Sequence, residues 1–228
     1  MIDFGELYAK FRAPISNLDC GDRCAPYNEQ GIPFCCDIRH AVPTAYQAEW
    51  EYLEQNTELW RKYTPDNTKL ADLLKKQTPA DQELIICLGH LHCQRDYRSL
   101  TCRSFPFFPY ITRLGEFIGL SYYWEYEDRC WVINHLDVVS ERYRSEFIDV
   151  FDFLFEQMPD ERETFRQYSI LMRRVFGHKH RAIPLLHRNG NAYKISPHDG
   201  RMRRYEVEKF SKFGVYKIAA DLPFPAEI

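Results

Sequence analysis

The 228 residues are 45% hydrophobic and 28% charged, which gives enough apolar mass for a sizeable core and too little net charge for a disordered chain. A formal net charge of −3 and a sequence pI near 6.3 speak against broad attraction to nucleic acid or to an anionic membrane. No run approaches the ~18 apolar residues of a membrane helix, and Met1–Leu7 lacks a basic flank followed by an apolar run, so neither a membrane span nor a signal peptide is expected.

A cytoplasmic location follows as an expectation, and it changes how the eight cysteines read. In a reducing compartment, clustered cysteines bind metal or do redox chemistry more often than they form disulfides. A chain of this length also folds without disulfide staples.

The first forty residues hold Cys20, Cys24, Cys35 and Cys36 among Asp19, Gly21, Asp22, Pro26, Gly31 and Pro33. That composition predicts loops, and loops suit chelation because their backbone is free to wrap sulfurs around an ion. Thr44-Ala45-Tyr46-Gln47 has the form of a capping box and predicts a helix from Thr44 to about Tyr63, with Pro65-Asp66-Asn67 ending it. A weaker helix is predicted over Thr68–Lys76, then a short strand at Leu84–Cys87.

A second cysteine block, Cys87-x5-Cys93-x8-Cys102, runs into Arg103-Ser104-Phe105-Pro106-Phe107. The aromatic stretch from Ile111 to Ile133 reads as β-rich. From Asp137 the apolar period becomes helical through Val139, Tyr143, Phe147, Phe151 and Leu154 as far as Pro159, and a further helix covers Asp160–Phe176 with Gly177 as its C-cap. Arg188-Asn189-Gly190-Asn191 between two apolar runs predicts a hairpin over Ile183–Ser196. The fold expected is α+β and predominantly helical, with a loop-rich cysteine metal-binding region and a C-terminal β-hairpin. Residues 1–135 form the cysteine region and 136–228 the helical pair plus hairpin, packed as one compact unit.

Thiolate is a soft ligand suited to zinc, iron or an iron–sulfur cluster. Cys20, Cys24, Cys35, Cys36, Cys87, Cys93 and Cys102 are therefore the candidate metal ligands. Neighbouring Cys35 and Cys36 are awkward for one tetrahedral ion, so either one ligates while the other packs or each serves a different metal. Small buried hydrophobes are the plain alternative for any of these thiols. Cys130, between Arg129 and Trp131, reads as core; as an eighth ligand it would permit two four-thiolate sites. His40, His90 and His92 lie near the thiols but read as surface residues.

The string Cys93-Gln-Arg-Asp-Tyr97-Arg98-Ser99-Leu-Thr-Cys102-Arg103-Ser-Phe105-Pro106-Phe107, together with the Cys35-Cys36 pair, resembles the YkgJ-type cysteine-cluster family, a zinc- or iron-chelating domain. The likeness spans about residues 20–107. Ser99 stands where that family usually has proline, and the first cysteine block is stretched. The resemblance implies a zinc or iron cofactor, an iron–sulfur cluster included, and a supporting role for Arg103 beside the metal; Arg98 reads equally as a surface arginine. Similar cysteine segments in flagellin lysine methylases suggest a protein-modifying enzyme as an alternative, though no Gly-rich nucleotide loop is present.

No common catalytic template occurs, so catalytic residues stay unassigned and whether the chain is an enzyme is left open. The partners expected are a metal ion and another protein, with no membrane and no nucleic acid. The basic residues of the last third, Arg173, Arg174, Lys179, Arg181, Arg201, Arg203 and Arg204 with His178 and His180, read as a solvated face rather than a nucleic-acid patch.

Overall fold

The computed structural model describes residues 2–217, within which short helices alternate with two antiparallel sheets. The tail of the second predicted region, 218–228, lies outside the described residues. Helix α1 (Phe4–Lys10) starts where the Asp3 carboxylate accepts the N–H groups of Gly5 and Glu6, two donors that helix geometry leaves unpaired. It turns Phe4, Leu7 and Tyr8 inward.

The helix predicted from Thr44 begins three residues later. Thr44–Tyr46 is strand β1, because its partners Gln82–Leu84 lie alongside in strand β3 (Gln82–Cys87). Extended Tyr46 then caps helix α3 (Gln47–Asn56), and Glu49 reaches back to accept the Tyr46 N–H at 3.2 Å. This helix is short: Trp60–Lys62 leaves it to form β2, which pairs with the other edge of β3. Helix α2 (Cys20–Cys24) precedes this unit, α4 (Thr68–Gln77) connects β2 to β3, and α5 (Leu100–Ser104) follows.

The expectation of a mostly helical chain finished by one C-terminal hairpin is corrected by a second sheet of five strands. Its strands are β4 (Phe107–Ile111), β5 (Phe117–Tyr122), β6 (Ile183–His187), β7 (Ala192–Ile195) and β8 (Met202–Tyr205), in that spatial order. The predicted hairpin is the β6–β7 pair inside it, with Leu186 opposite Ala192. Two features hid the sheet. Strand β8, Met-Arg-Arg-Tyr, has none of the apolar alternation that marks a half-buried strand. The β5–β6 pairing joins residues far apart in sequence, Gly119 to His187 and Leu120 to Leu186. Gly119, at φ 151°, makes that contact possible, since a Cβ there would lie 2.3 Å from the Leu186 carbonyl oxygen. The regions 1–135 and 136–228 thus share one sheet.

Both faces of this sheet are covered, which explains why β4 is buried at every residue. Phe108 and Tyr110 join Ile183, Leu185 and Ile195 against Met172 and Phe176 of helix α7 (Pro159–His178). Phe107, Ile111, Phe117 and Leu120 face Phe147, Phe151 and Phe155 of α6 (Glu141–Gln157), in a core continuous with α1 and α3. The alternation follows from strand geometry, which sends successive side chains to opposite faces. Gly177, expected as a cap, lies inside α7, whose C-cap is Lys179. No helix among the described residues is long and apolar enough to cross a membrane.

One buried carboxylate ties the N-terminal elements together. Glu49 is fully buried (0% exposed) and accepts from the Tyr8 hydroxyl on α1, the Leu100 N–H at the start of α5 and the Tyr46 N–H. Burial lifts its pKa to about 7, against those hydrogen bonds and the Arg103 cation. An acid with a raised folded pKa holds its proton more tightly when folded. The contribution of Glu49 to stability is therefore fully present below the ordinary carboxylate value of 4.5 and is lost as pH rises from there to about 7, by about 3 kcal/mol in all. Glu49→Gln should flatten this part of the pH profile, at a cost of about 1–3 kcal/mol for the amide that faces a donor. Urea unfolding of both proteins at pH 4.5 and pH 7 measures it; equal pH slopes would remove Glu49 from this role.

Candidate metal centre

The eight cysteines come from six segments of chain. Asp19 caps α2 through the Gly21 N–H, setting Cys20 and Cys24 one helical turn apart on that helix. Cys35 and Cys36 sit on a single 3-10 turn, Phe34–Cys36. That loop is held by buried Asp37, which receives hydrogen bonds from Arg39 and Asn28, and the Arg39 bonds keep its carboxyl well below the usual range. Cys87 ends β3 opposite Trp60. Cys93 follows a 3-10 turn over His90–His92, and Cys102 lies in α5. Trp60 donates its indole N–H to the Tyr97 carbonyl at 2.7 Å, and Thr101 donates to the Thr44 carbonyl at 2.7 Å, which clamps the second block against the small sheet.

All eight thiols are free, and each is half-buried or buried. Their mutual influence maps which ones are neighbours. Burial comes first in raising Cys24 to about 11 and Cys102 to about 12, and a charge on Cys36 raises both further. Cys20 and Cys87 are likewise raised, first by burial and then in part by Cys36. Cys35 donates its S–H to Cys36, so the Cys35 value is driven up while Cys36 is drawn below the ordinary thiol value, helped by the Arg98 cation. Cys36 is the sulfur that Cys20, Cys24, Cys35, Cys87 and Cys102 share as a neighbour.

Cys130, which the sequence placed in the core, belongs here as well. Burial raises it to about 12, and its charged neighbours include Cys20 and Cys24, while Cys35 feels Cys130 in turn. Only its position beside the aromatic stretch pointed elsewhere. Cys87 feels Cys36 and Cys93, and Cys102 feels Cys36 and Cys87; Cys130 feels Cys20 and Cys24, and Cys35 feels Cys20 and Cys130. Cys36 also acts on Cys20, Cys24 and Cys35, so it adjoins both neighbourhoods.

The two arginines divide differently from the sequence reading. Arg98 donates from Nε to Cys93 Sγ at 3.0 Å. Burial disfavours its charge, but Cys93, Cys102 and Cys36 outweigh that penalty and hold the guanidinium more firmly protonated. Arg103 is directed to backbone instead. It donates to the carbonyls of Phe11, Asp96 (2.7 Å) and Arg98 (2.8 Å) and lies over the Tyr8 ring at 4.1 Å.

Of the histidines, His92 is exposed and His90 half-buried, and neither figures among the main influences on any thiol. His40 packs on Phe34 and stands 3.9 Å from Asp37. Ser99 caps α5 by accepting the Cys102 N–H at 3.3 Å, and its φ of −60° is the value a proline ring enforces, so this departure from the family pattern leaves the backbone unchanged.

As the side chains stand, no group of three or more Cys, His, Asp or Glu among the described residues is set to hold a metal ion. The thiols are gathered, not yet in chelating array. Because Arg103 satisfies three carbonyls, Arg103→Met should cost about 2–4 kcal/mol in urea unfolding. Arg98→Gln, which loses a single sulfur contact, should cost about 1 kcal/mol or less. A reversed order would overturn this division of roles. The chain matches no protein-family model, no curated protein and no solved structure with which it was compared, so the likeness to the cysteine-cluster family rests on its two motifs.

Proposed function

We propose that this chain is a metal-binding protein whose clustered cysteines hold zinc or iron. The observation that carries the reading is the approach of thiols from separate segments of chain: Cys36 neighbours Cys20, Cys24, Cys35, Cys87 and Cys102, Arg98 holds Cys93, and Cys130 adjoins Cys20 and Cys24. Soft donors at this density, in a partly desolvated setting, match the ligand chemistry of zinc and of iron–sulfur centres.

Four thiolates complete one tetrahedral site, and eight suffice for two. Cys36, Cys87, Cys93 and Cys102 would make one set, with Arg98 offsetting part of its negative charge. Cys20, Cys24, Cys35 and Cys130 would make the other. This division puts Cys35 and Cys36 on different ions, which resolves the difficulty of neighbouring residues sharing one. Rotation about each Cα–Cβ bond would bring the sulfurs into array, since cysteine has a single side-chain torsion to set. Bound metal would clip the early loops to α5 and to the loop after β5, adding to stability; an iron centre would add electron transfer.

Elemental analysis and absorption spectra of protein purified without oxygen test this. Two occupied sites per chain are expected: two zinc or single iron ions, or about four to eight irons where clusters form. The Cys87→Ser and Cys102→Ser variants should each lose one site, and Cys24→Ser and Cys130→Ser the other. Colourless protein with zinc identifies a structural role, and a broad visible absorption identifies an iron–sulfur cluster. Protein that carries no metal and takes up neither zinc nor ferrous ion would overturn the proposal.

A further inference from the structure

The last third of the chain holds a cavity of about 460 Å³ that shares no residue with the thiol cluster. Its walls come from three places: Arg113 in the β4–β5 turn; Arg173, Arg174 and His178 on α7; and Pro197 and His198 in the β7–β8 turn. No Asp or Glu lines it.

Most of these cations have plain explanations. Arg174 and His178 sit near the C-terminal end of α7, where positive charge complements the helix dipole. Arg113 donates to the carbonyls of Pro197 and His198, fastening the two turns to each other. Arg173 differs from them. It is only 6% exposed, and its Nη1 is taken by the Tyr110 hydroxyl and the Ile111 carbonyl at 2.9 Å, yet its Nη2 is buried without a hydrogen-bond partner. An orphaned donor on a buried cation is costly, and native structures rarely leave one unanswered. The same guanidinium borders a cavity whose other charged walls are all basic.

We propose that this cavity binds the phosphate group of a small organic phosphate, with Arg173 Nη2 as the innermost donor and Arg113 and Arg174 closing around the remaining oxygens. Guanidinium groups match phosphate oxygens in geometry and charge. The volume falls within the range of small-molecule sites and exceeds what a bare ion fills. Ile170 and Pro197 supply an apolar wall for the organic part.

Calorimetric titration of the full chain with ribose 5-phosphate, at fixed ionic strength, tests the assignment, with ribose and inorganic phosphate as comparison ligands. Saturable binding of ribose 5-phosphate, weaker binding of inorganic phosphate and none of ribose are expected. Arg174→Gln, at an exposed position, should leave the fold intact and weaken binding roughly fivefold; Arg113→Gln, which also unfastens the two turns, should weaken it at least as much, and Arg173→Lys roughly tenfold or more. Absence of saturable binding by the unaltered chain would overturn the proposal. So would binding indifferent to Arg113→Gln and Arg174→Gln, which remains decisive even if Arg173→Lys fails to fold. Metal content serves as an independent control, because none of these residues belongs to the thiol cluster.

Discussion

The burial of Glu49 is the constraint on which the N-terminal half depends. A carboxylate removed from water is costly unless donors surround it, and the three donors here come from three different elements: Tyr8 on α1, Tyr46 at the end of β1 and Leu100 at the start of α5. None of those elements is long enough to hold its position alone. Meeting at one acceptor, they set α5 against β1, and α5 carries Cys102. A second buried acid continues the same logic, since the Tyr46 hydroxyl donates to Glu161 on α7 at 2.6 Å. The polar framework therefore runs from the first helix to the last without passing through the thiols.

That separation matters for the thiols themselves. Arg103 serves the framework and Arg98 serves the sulfurs, although they are five residues apart and joined by a hydrogen bond from Arg103 to the Arg98 carbonyl. The backbone around the second cysteine block is fixed by groups that have no part in chelation, so the sulfurs inherit their positions.

Much of this was legible in the sequence, and the rest was hidden for identifiable reasons. Helices α6 and α7 carry long apolar stripes, and the Asn189-Gly190 turn announces the β6–β7 pair, because local periodicity and turn chemistry decide those elements. The start of α3 was misplaced since Thr44 satisfies a local capping rule, while strand pairing with β3, forty residues away, overrides it. The same nonlocal pairing hid the sheet of five strands. Cys20, Cys24, Cys35 and Cys36 stand out through their loop-forming neighbours, and Cys87, Cys93 and Cys102 through their spacing and the motif that follows. Cys130 does not, because Trp131, Val132 and Ile133 make it look like core, and Val132 and Ile133 are indeed buried. Arg103 was favoured over Arg98 because the resembled motif includes its position, but within a helix adjacent residues point about 100° apart, so standing next to Cys102 does not aim Arg103 at the sulfurs.

The placement of Cys130 also gives the C-terminal region a share in the thiol cluster. Asn134 donates to the carbonyls of Glu127 and Cys130 at 2.8 Å each, and its side-chain oxygen accepts the Phe213 N–H. Tyr216 donates to the Arg129 carbonyl at 2.9 Å, and Arg181 pairs with buried Glu127 through two hydrogen bonds. The loop that presents Cys130 is thus held by residues past 180, while Tyr126 ties it to the His40 carbonyl beside the first cysteine block. Loosening the C-terminal segment would release one thiol of the eight and leave the Cys36 side of the cluster standing. Cys130 therefore depends on a different part of the fold from the thiols of the two cysteine blocks.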